Sequence, residues 1–233
     1  GRMTQAFFNS VRDSLFSGSL RQSQVDGLND ILKASEDRPI RHRAYILATG
    51  YHETGLAMSP NVEILNYTTA SRIRAVWPAR FASVAEAQPY VRNPKGLANK
   101  VYNGRMGNRS GTDDGWNYRG RGQVHITGRD NYLKAGSAIG VDLVGSPDLA
   151  LRRDVSALVL VEGMSNGWFT GKRLTDYQSY VDMRRVVNGT DQAEKIAGYA
   201  VKFEAALKLI EGGADTRRTL LSLLWELFAG IFR

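Results

Sequence analysis

Between Pro39 and Gly55 the chain carries the pattern that most restricts its fold. Ile40, Ala44, Leu47, Ala48 and Tyr51 fall at i, i+4, i+7, i+8 and i+11, one face of a helix. Pro39 suits the start of such a helix, and Thr54-Gly55 stops it. The spacing therefore sets one carboxylate, Glu53, at the C-terminal end of a largely buried helix. There the helix macrodipole and burial both disfavour the ionised form, which suits a group that holds a proton and donates it. A solvated glutamate at a helix end is the plain alternative from position alone.

Ten residues later comes Glu63, in Asn61-Val62-Glu63-Ile64-Leu65-Asn66-Tyr67. The intervening Gly55-Leu56-Ala57-Met58-Ser59-Pro60 reads as a loop able to fold this second carboxylate back across a cleft from the first. Inverting hydrolysis of a glycosidic bond uses such a pair. One acid protonates the leaving oxygen, and the other activates water on the opposite face, roughly 6.5–9.5 Å away. A bare pair of glutamates is weak evidence, since most are surface accidents.

The rest of the chain reads as packing helices around a less regular middle. Residues 4–16 form an amphipathic pattern, and Ser19 is placed to cap a helix from about Leu20 to Lys33. From about Ser59 to Asp114 prolines, glycines and asparagines dominate. Short helices are expected only over 68–77 and 82–91, and Asn103–Gly115 is a long Gly-rich loop of the kind that is more often functional or mobile than idle. Trp116–Gly128 has brief alternation, as a short strand or a cleft-lining segment. Helices resume at about 129–139, 156–166, 174–187 and 191–211, with Gly212-Gly213 ending the last.

Composition excludes several chemistries. There is no cysteine, so disulfides, thiolate zinc sites and cysteine nucleophiles are absent. The 42% hydrophobic content of 233 residues supports one folded domain, alone or with a small lobe. A formal charge of +8 draws the surface to anionic partners without choosing among them. Lysines and arginines are scattered rather than gathered on one stretch, which argues against a nucleic-acid partner. His42, His52 and His125 make no metal set, and His52-Glu53 lacks the second histidine of a zincin helix. No metal and no cofactor are expected. No basic-then-apolar leader is visible at the start, and no apolar run reaches the roughly 20 residues of a membrane span.

His52-Glu53-Thr54, then Tyr118–Thr127 (YRGRGQVHIT) with Asn131-Tyr132, then Ser146-Pro147-Asp148-Leu149-Ala150, and finally Val186-Val187-Asn188-Gly189, occur in the order of the motifs of glycoside hydrolase family 19. The chain resembles that family over about residues 40–210, and within it the bacteriophage endolysin branch more than the plant chitinases. The resemblance implies a mainly α, lysozyme-like, two-lobed helical domain over 1–212, with a substrate cleft and at most a small β element. It implies Glu53 as general acid and Glu63 as candidate general base, with Asp113 and Asp114 in reserve. Gln123, Thr127 and Asn131 match cleft positions that hold sugar or the attacking water, and Asn188 matches a cleft asparagine. The implied substrate is peptidoglycan, cut by a monomer. Such a protein is made in the host cytoplasm without a signal peptide and reaches the wall after release. A chitinase of the same family is the alternative, and a catalytically dead wall-binding or membrane-permeabilising protein another.

Read on their residues alone, Tyr67, Trp116 and Tyr118 offer flat faces for sugar stacking, although plain packing is the commoner role. Gln123 and Asn131 carry amides suited to N-acetyl groups. Gly120 and Gly122 would let backbone approach a ligand, and Arg119 and Arg121 would meet a stem-peptide carboxylate or a structural acid such as Glu53. Residues 213–233 form a separate amphipathic cationic segment. From Leu220 to Phe232 it is apolar except for Ser222, Glu226 and Gly230, a narrow stripe, and Arg217, Arg218 and Arg233 frame it. Its roughly 20 Å of helix is too short to span a bilayer. It either docks on the body or, through residues 217–233, meets an anionic outer membrane or lipopolysaccharide.

Overall fold

A computed structural model of the chain describes residues 2–231. Its order is α1 (Arg2–Leu15), α2 (Gln22–Ala34), α3 (Ile40–Glu53), β1 (Asn61–Val62), α4 (Ala70–Val76), α5 (Val84–Ala87) and α6 (Pro94–Tyr102). There follow α7 (Asp114–Asn117), β2 (Arg121–Gly122), α8 (Arg129–Ile139), α9 (Arg153–Asn166), α10 (Tyr180–Met183) and α11 (Ala193–Ile231), with short 3-10 turns between. The fold is mainly α. Its one sheet among the described residues is the antiparallel pair β1–β2, with Asn61 opposite Gly122 and Val62 opposite Arg121.

Helix α3 is the axis of the larger lobe. Every residue from Arg43 to Tyr51 is buried, so it is enclosed all round rather than on the single face its spacing suggests. Most of its polar groups find partners, although the Tyr45 hydroxyl and Arg43 Nε are buried without a hydrogen bond among the described residues. Arg43 is ion-paired with Glu211, the Thr49 hydroxyl donates to the Tyr45 carbonyl at 2.9 Å, and the Tyr51 hydroxyl donates to the Leu15 carbonyl. Gly50 is needed for close approach, because a Cβ there would lie 2.6 Å from Gln123 Oε1. Around α3 pack Phe7 and Val11 of α1, Leu28 and Ile31 of α2, Leu160 and Met164 of α9, and Ile196, Ala200, Phe203 and Leu207 of α11. A second, smaller core joins Ile73 of α4, Phe81, Ala87 of α5, and Leu97 and Val101 of α6. A third joins Tyr118, Tyr132 and Leu143 to the outer face of α9 through Val155 and Val159.

Several elements differ from the sequence expectation. Ser19 does not cap α2; the helix opens at Gln22, and Gln24 Oε1 accepts the Arg21 N–H at 2.9 Å. α6 lies where only loop was expected, started by Asn93, whose side chain accepts the Gly96 N–H at 3.1 Å. The helix expected over 174–187 is broken into a 3-10 turn, α10 and a second 3-10 turn, because Ser179 caps a new start by accepting the Asp182 N–H at 3.1 Å. Gly212-Gly213 does not end the last helix. α11 passes through both, so the boundary expected at 212/213 falls inside one helix. The helix-forming Leu, Ala, Glu and Lys residues on either side offset the roughly 1 kcal/mol each glycine costs.

The Gly-rich loop 103–115 is knitted rather than loose. Asn108 is buried, donating to the Tyr102 carbonyl at 3.1 Å and accepting the Arg129 N–H at 2.9 Å. Buried Asp114 takes the Arg109 side chain at 2.8 and 3.0 Å and its backbone N–H at 2.9 Å. The Arg109 guanidinium holds the Asp114 carboxyl below its usual range, at about 2.

Candidate active site

Glu53 ends α3 at the point where the buried helix reaches the surface, and its side chain keeps 30% of its exposure. The carboxyl is therefore not itself buried, which corrects half of the sequence argument. The other half is also changed: the unfavourable pole of the helix is answered by Arg184, whose Nη1 lies 2.9 Å from Glu53 Oε1. Arg184 is only 3% exposed, and its Nε donates to the Asp191 carbonyl at 2.7 Å. The break between α10 and the following turn is what aims it. Asn188 follows one turn later, exposed, its N–H donating to the Arg184 carbonyl at 2.9 Å.

Glu63 is held by other elements. It directly follows β1, and its N–H extends the pairing by donating to the Gly120 carbonyl at 2.8 Å. One carboxylate oxygen accepts the Gly120 N–H at 3.2 Å, and the other accepts the Tyr102 hydroxyl at 2.7 Å. Burial first, and then the adjacent Glu63, push the Tyr102 phenol well above its ordinary range, so it stays a donor. Glu53 thus belongs to the large core and Glu63 to the small lobe and the sheet.

The loop between them is tied down at three points. The Thr54 hydroxyl accepts the Met58 N–H at 2.9 Å, Gln24 donates to the Leu56 carbonyl at 3.0 Å, and Gln123 lies 3.4 Å from the Met58 carbonyl.

The charges of both acids act on His125. Crowding by the surrounding protein holds its imidazole below the ordinary range, while Glu63 and, more weakly, Glu53 pull it back up. Its Nε2 meets Asn61 Oδ1 at 2.5 Å, and its side chain stays exposed. At Gly120 a Cβ would sit 2.7 Å from His125 Nδ1, so this glycine makes room for the imidazole as well as donating to Glu63. Beside His125 a shallow pocket is lined by Met106, Thr127, Asn131, Lys134 and Trp168. Asn131 Nδ2 donates to the Thr127 carbonyl at 2.7 Å, which fixes these two together.

The remaining sequence-derived site residues divide. Tyr67 and Trp116 are half-buried against the small core, Tyr67 edge-on to Trp77. One face of Trp116 is already covered by the Arg119 guanidinium, 3.6 Å from the ring centroid. Tyr118 and Gln123 lie inward. Tyr118 is 6% exposed, its hydroxyl donating to the Val144 carbonyl at 2.9 Å, and is a core residue rather than a stacking platform. Gln123 is 3% exposed and braces Met58 from behind. Both look inward because β2 and the turn after it pack on α9, where Ser156 Oγ accepts the Gln123 N–H at 3.2 Å.

Arg121 is buried against Asp148 at 3.1 Å and the Tyr132 hydroxyl at 2.9 Å, so the acid it serves is not Glu53. Asp113 is held by Lys95 at 2.9 Å and Asp114 by Arg109, so both reserves have structural partners. Among the described residues no three His, Asp or Glu side chains gather in a way that could hold a metal ion.

Arg184 and Tyr102, the partners of the two acids, went unread in the sequence. They lie 131 and 39 residues from the groups they hold. The only local signal was weak: Arg184 precedes the Val186–Gly189 motif by two positions.

Comparison with known proteins places residues 80–215, more than half of the chain, on the family model described as chitinase class I, glycoside hydrolase family 19. That stretch begins after both Glu53 and Glu63. A glycosyl hydrolase family 19 domain-containing protein of Haemophilus influenzae is 36% identical over 121 residues, 48% of this chain and 58% of that protein. Chitinase 8 of Oryza sativa subsp. japonica is 46% identical over 101 residues, 42% of this chain and 36% of that protein. Acidic endochitinase Q of Nicotiana tabacum is 33% identical over 102 residues, 42% of this chain and 37% of that protein. The chain thus spans from about a third to three-fifths of the length of these relatives.

Proposed function

The chain belongs to glycoside hydrolase family 19, and from that premise we propose that it hydrolyses the β-1,4 glycosidic bonds of bacterial peptidoglycan with inversion, as an endolysin of the bacteriophage type. The observation that carries this reading is the pair of acids held from opposite lobes, Glu53 by Arg184 and Glu63 by Tyr102 and Gly120, with His125 in reach of both. Glu53 gives its proton to the glycosidic oxygen as the bond to the anomeric carbon breaks. Arg184 then neutralises the carboxylate that remains. Glu63 takes a proton from water as that water attacks the anomeric carbon from the opposite face. Thr127, Asn131 and Asn188 contact the sugar or that water, and the half-buried Tyr67 and Trp116 border the small-lobe side.

The formal charge of +8 supports an anionic polymer as substrate. In this reading the protein acts as a monomer on the wall after release from the host cytoplasm. A chitinase is the second reading, favoured by the names of the rice and tobacco relatives. Digesting purified sacculi and, separately, N-acetylglucosamine oligomers, with mass spectrometry of the new reducing ends, tests both. Muropeptides with fresh reducing ends support the endolysin reading. Cleavage of the oligomers alone transfers the chain to the chitinases, and products from neither substrate leave a binding protein.

A further inference from the structure

We infer that the outer part of α11 is a docking element for the surface of an anionic phospholipid bilayer. The inner part of the helix packs on the body through Ile196, Ala200, Phe203, Ala206 and Leu207, all fully buried. Beyond Glu211 the pattern inverts. Leu221, Leu223, Leu224, Trp225, Leu227 and Phe228 are exposed at 48–76% of their surface, and Glu226 and Ala229 are exposed too. None of these side chains joins any of the three cores, and six large apolar groups lie within eight positions. Monomeric proteins seldom leave so contiguous an apolar surface uncovered.

The distribution of these groups selects the occupant. At 3.6 residues per turn the six cover an arc of about 200°, leaving the other side, about 160°, to Ser222, Glu226, Ala229 and Gly230. A helix that pairs with one partner helix needs only a narrow a/d seam. More than half a circumference, with a tryptophan in it, suits a medium that surrounds the helix on three sides. In the sequence the apolar stretch is preceded by Arg217 and Arg218 and followed by Arg233, on a chain of formal charge +8. These charges complement anionic headgroups, whereas a second copy of the chain would bring like charges together. Among the described residues no helix is long and apolar enough to cross a membrane. The element therefore lies along the headgroup boundary, apolar arc inward, with the hydrolase body held at the lipid surface. This inference does not depend on which glycan bond is cut.

The test is co-sedimentation of the full chain with large unilamellar vesicles, either of phosphatidylglycerol with phosphatidylethanolamine or of phosphatidylcholine alone. The parent should pellet with the anionic vesicles, less so as salt rises, and should remain in solution with phosphatidylcholine. The double variant Leu224→Glu, Phe228→Glu should lose at least about tenfold in partitioning while cutting, at the parental rate, whichever glycan the parent cuts. That rate, and an unchanged melting temperature, show that the body is folded. Equal pelleting of parent and double variant would overturn the inference, as would equal affinity for both vesicle types. A parent that ignores vesicles and forms a concentration-dependent dimer, lost in the double variant, would give the apolar arc to a second copy instead.

Discussion

Replacing each acid by its amide should abolish the proposed hydrolysis in both cases but destabilise the fold in only one. Glu53→Gln removes the proposed proton donor, so turnover should fall by about 10²–10⁴, the usual contribution of general acid catalysis. It also strands Arg184, which is 3% exposed and keeps only its 2.7 Å bond to the Asp191 carbonyl as a certain partner. Breaking a buried ion pair from one side costs about 3–5 kcal/mol. Glu53 is 30% exposed, so water screens the vacancy, and the amide oxygen still accepts one N–H from Arg184. About 2 kcal/mol is the reasonable expectation, and for a chain of this size that lowers the melting temperature by about 4–8 °C. Glu63→Gln should abolish turnover comparably. Its partners, however, are a phenol and a backbone N–H, and the phenol can turn to accept from the amide. No buried cation is left alone, so the stability cost should stay below about 1 kcal/mol. Reducing-end release from sacculi and thermal unfolding by circular dichroism at neutral pH read the two effects. A Glu53→Gln protein that melts with the parent would refute the Arg184 argument, and a Glu63→Gln protein that still cuts would remove Glu63 as the base.

Three further outcomes follow from the same geometry. Tyr102→Phe keeps the ring in the small core but frees one Glu63 oxygen, and should lower kcat about tenfold or more with little change in KM, since hydrogen bonds to charged groups contribute about 1.5–3 kcal/mol; steady-state kinetics on solubilised peptidoglycan checks it. Gly120→Ala forces its Cβ onto the His125 ring, 2.7 Å away, and should cost about 1–3 kcal/mol in a denaturant midpoint while pulling the Gly120 N–H off Glu63 and reducing activity. Asp114, depressed from 3.8 to about 2 by Arg109, contributes stability that is fully present above pH 4 and is lost as the pH falls towards 2. The gap in urea midpoint between the parent and Asp114→Asn should therefore be widest above pH 4 and close below it, and a gap independent of pH would exclude this linkage.

The periodicity of residues 40–53 was enough to define a central helix and to set Glu53 at its end, because a helix boundary is a local event written in Pro39 and Thr54-Gly55. The same local logic found α8, α9 and the inner part of α11, and the ordered motifs from His52 to Gly189 carried the family. Those readings need only neighbours in sequence. What sequence could not decide was which polar groups face inward. Tyr118 and Gln123 sit in a motif that looks like a cleft wall, yet packing on α9 turns them into the core. The contacts of Arg184 with Glu53, of Tyr102 with Glu63 and of His125 with Asn61 depend on segments far apart in the chain coming together. Hydrogen-bond complementarity across such distances leaves no periodic trace. The sequence therefore determined that Glu53 ends the central helix, and the tertiary structure alone decided what holds it and Glu63.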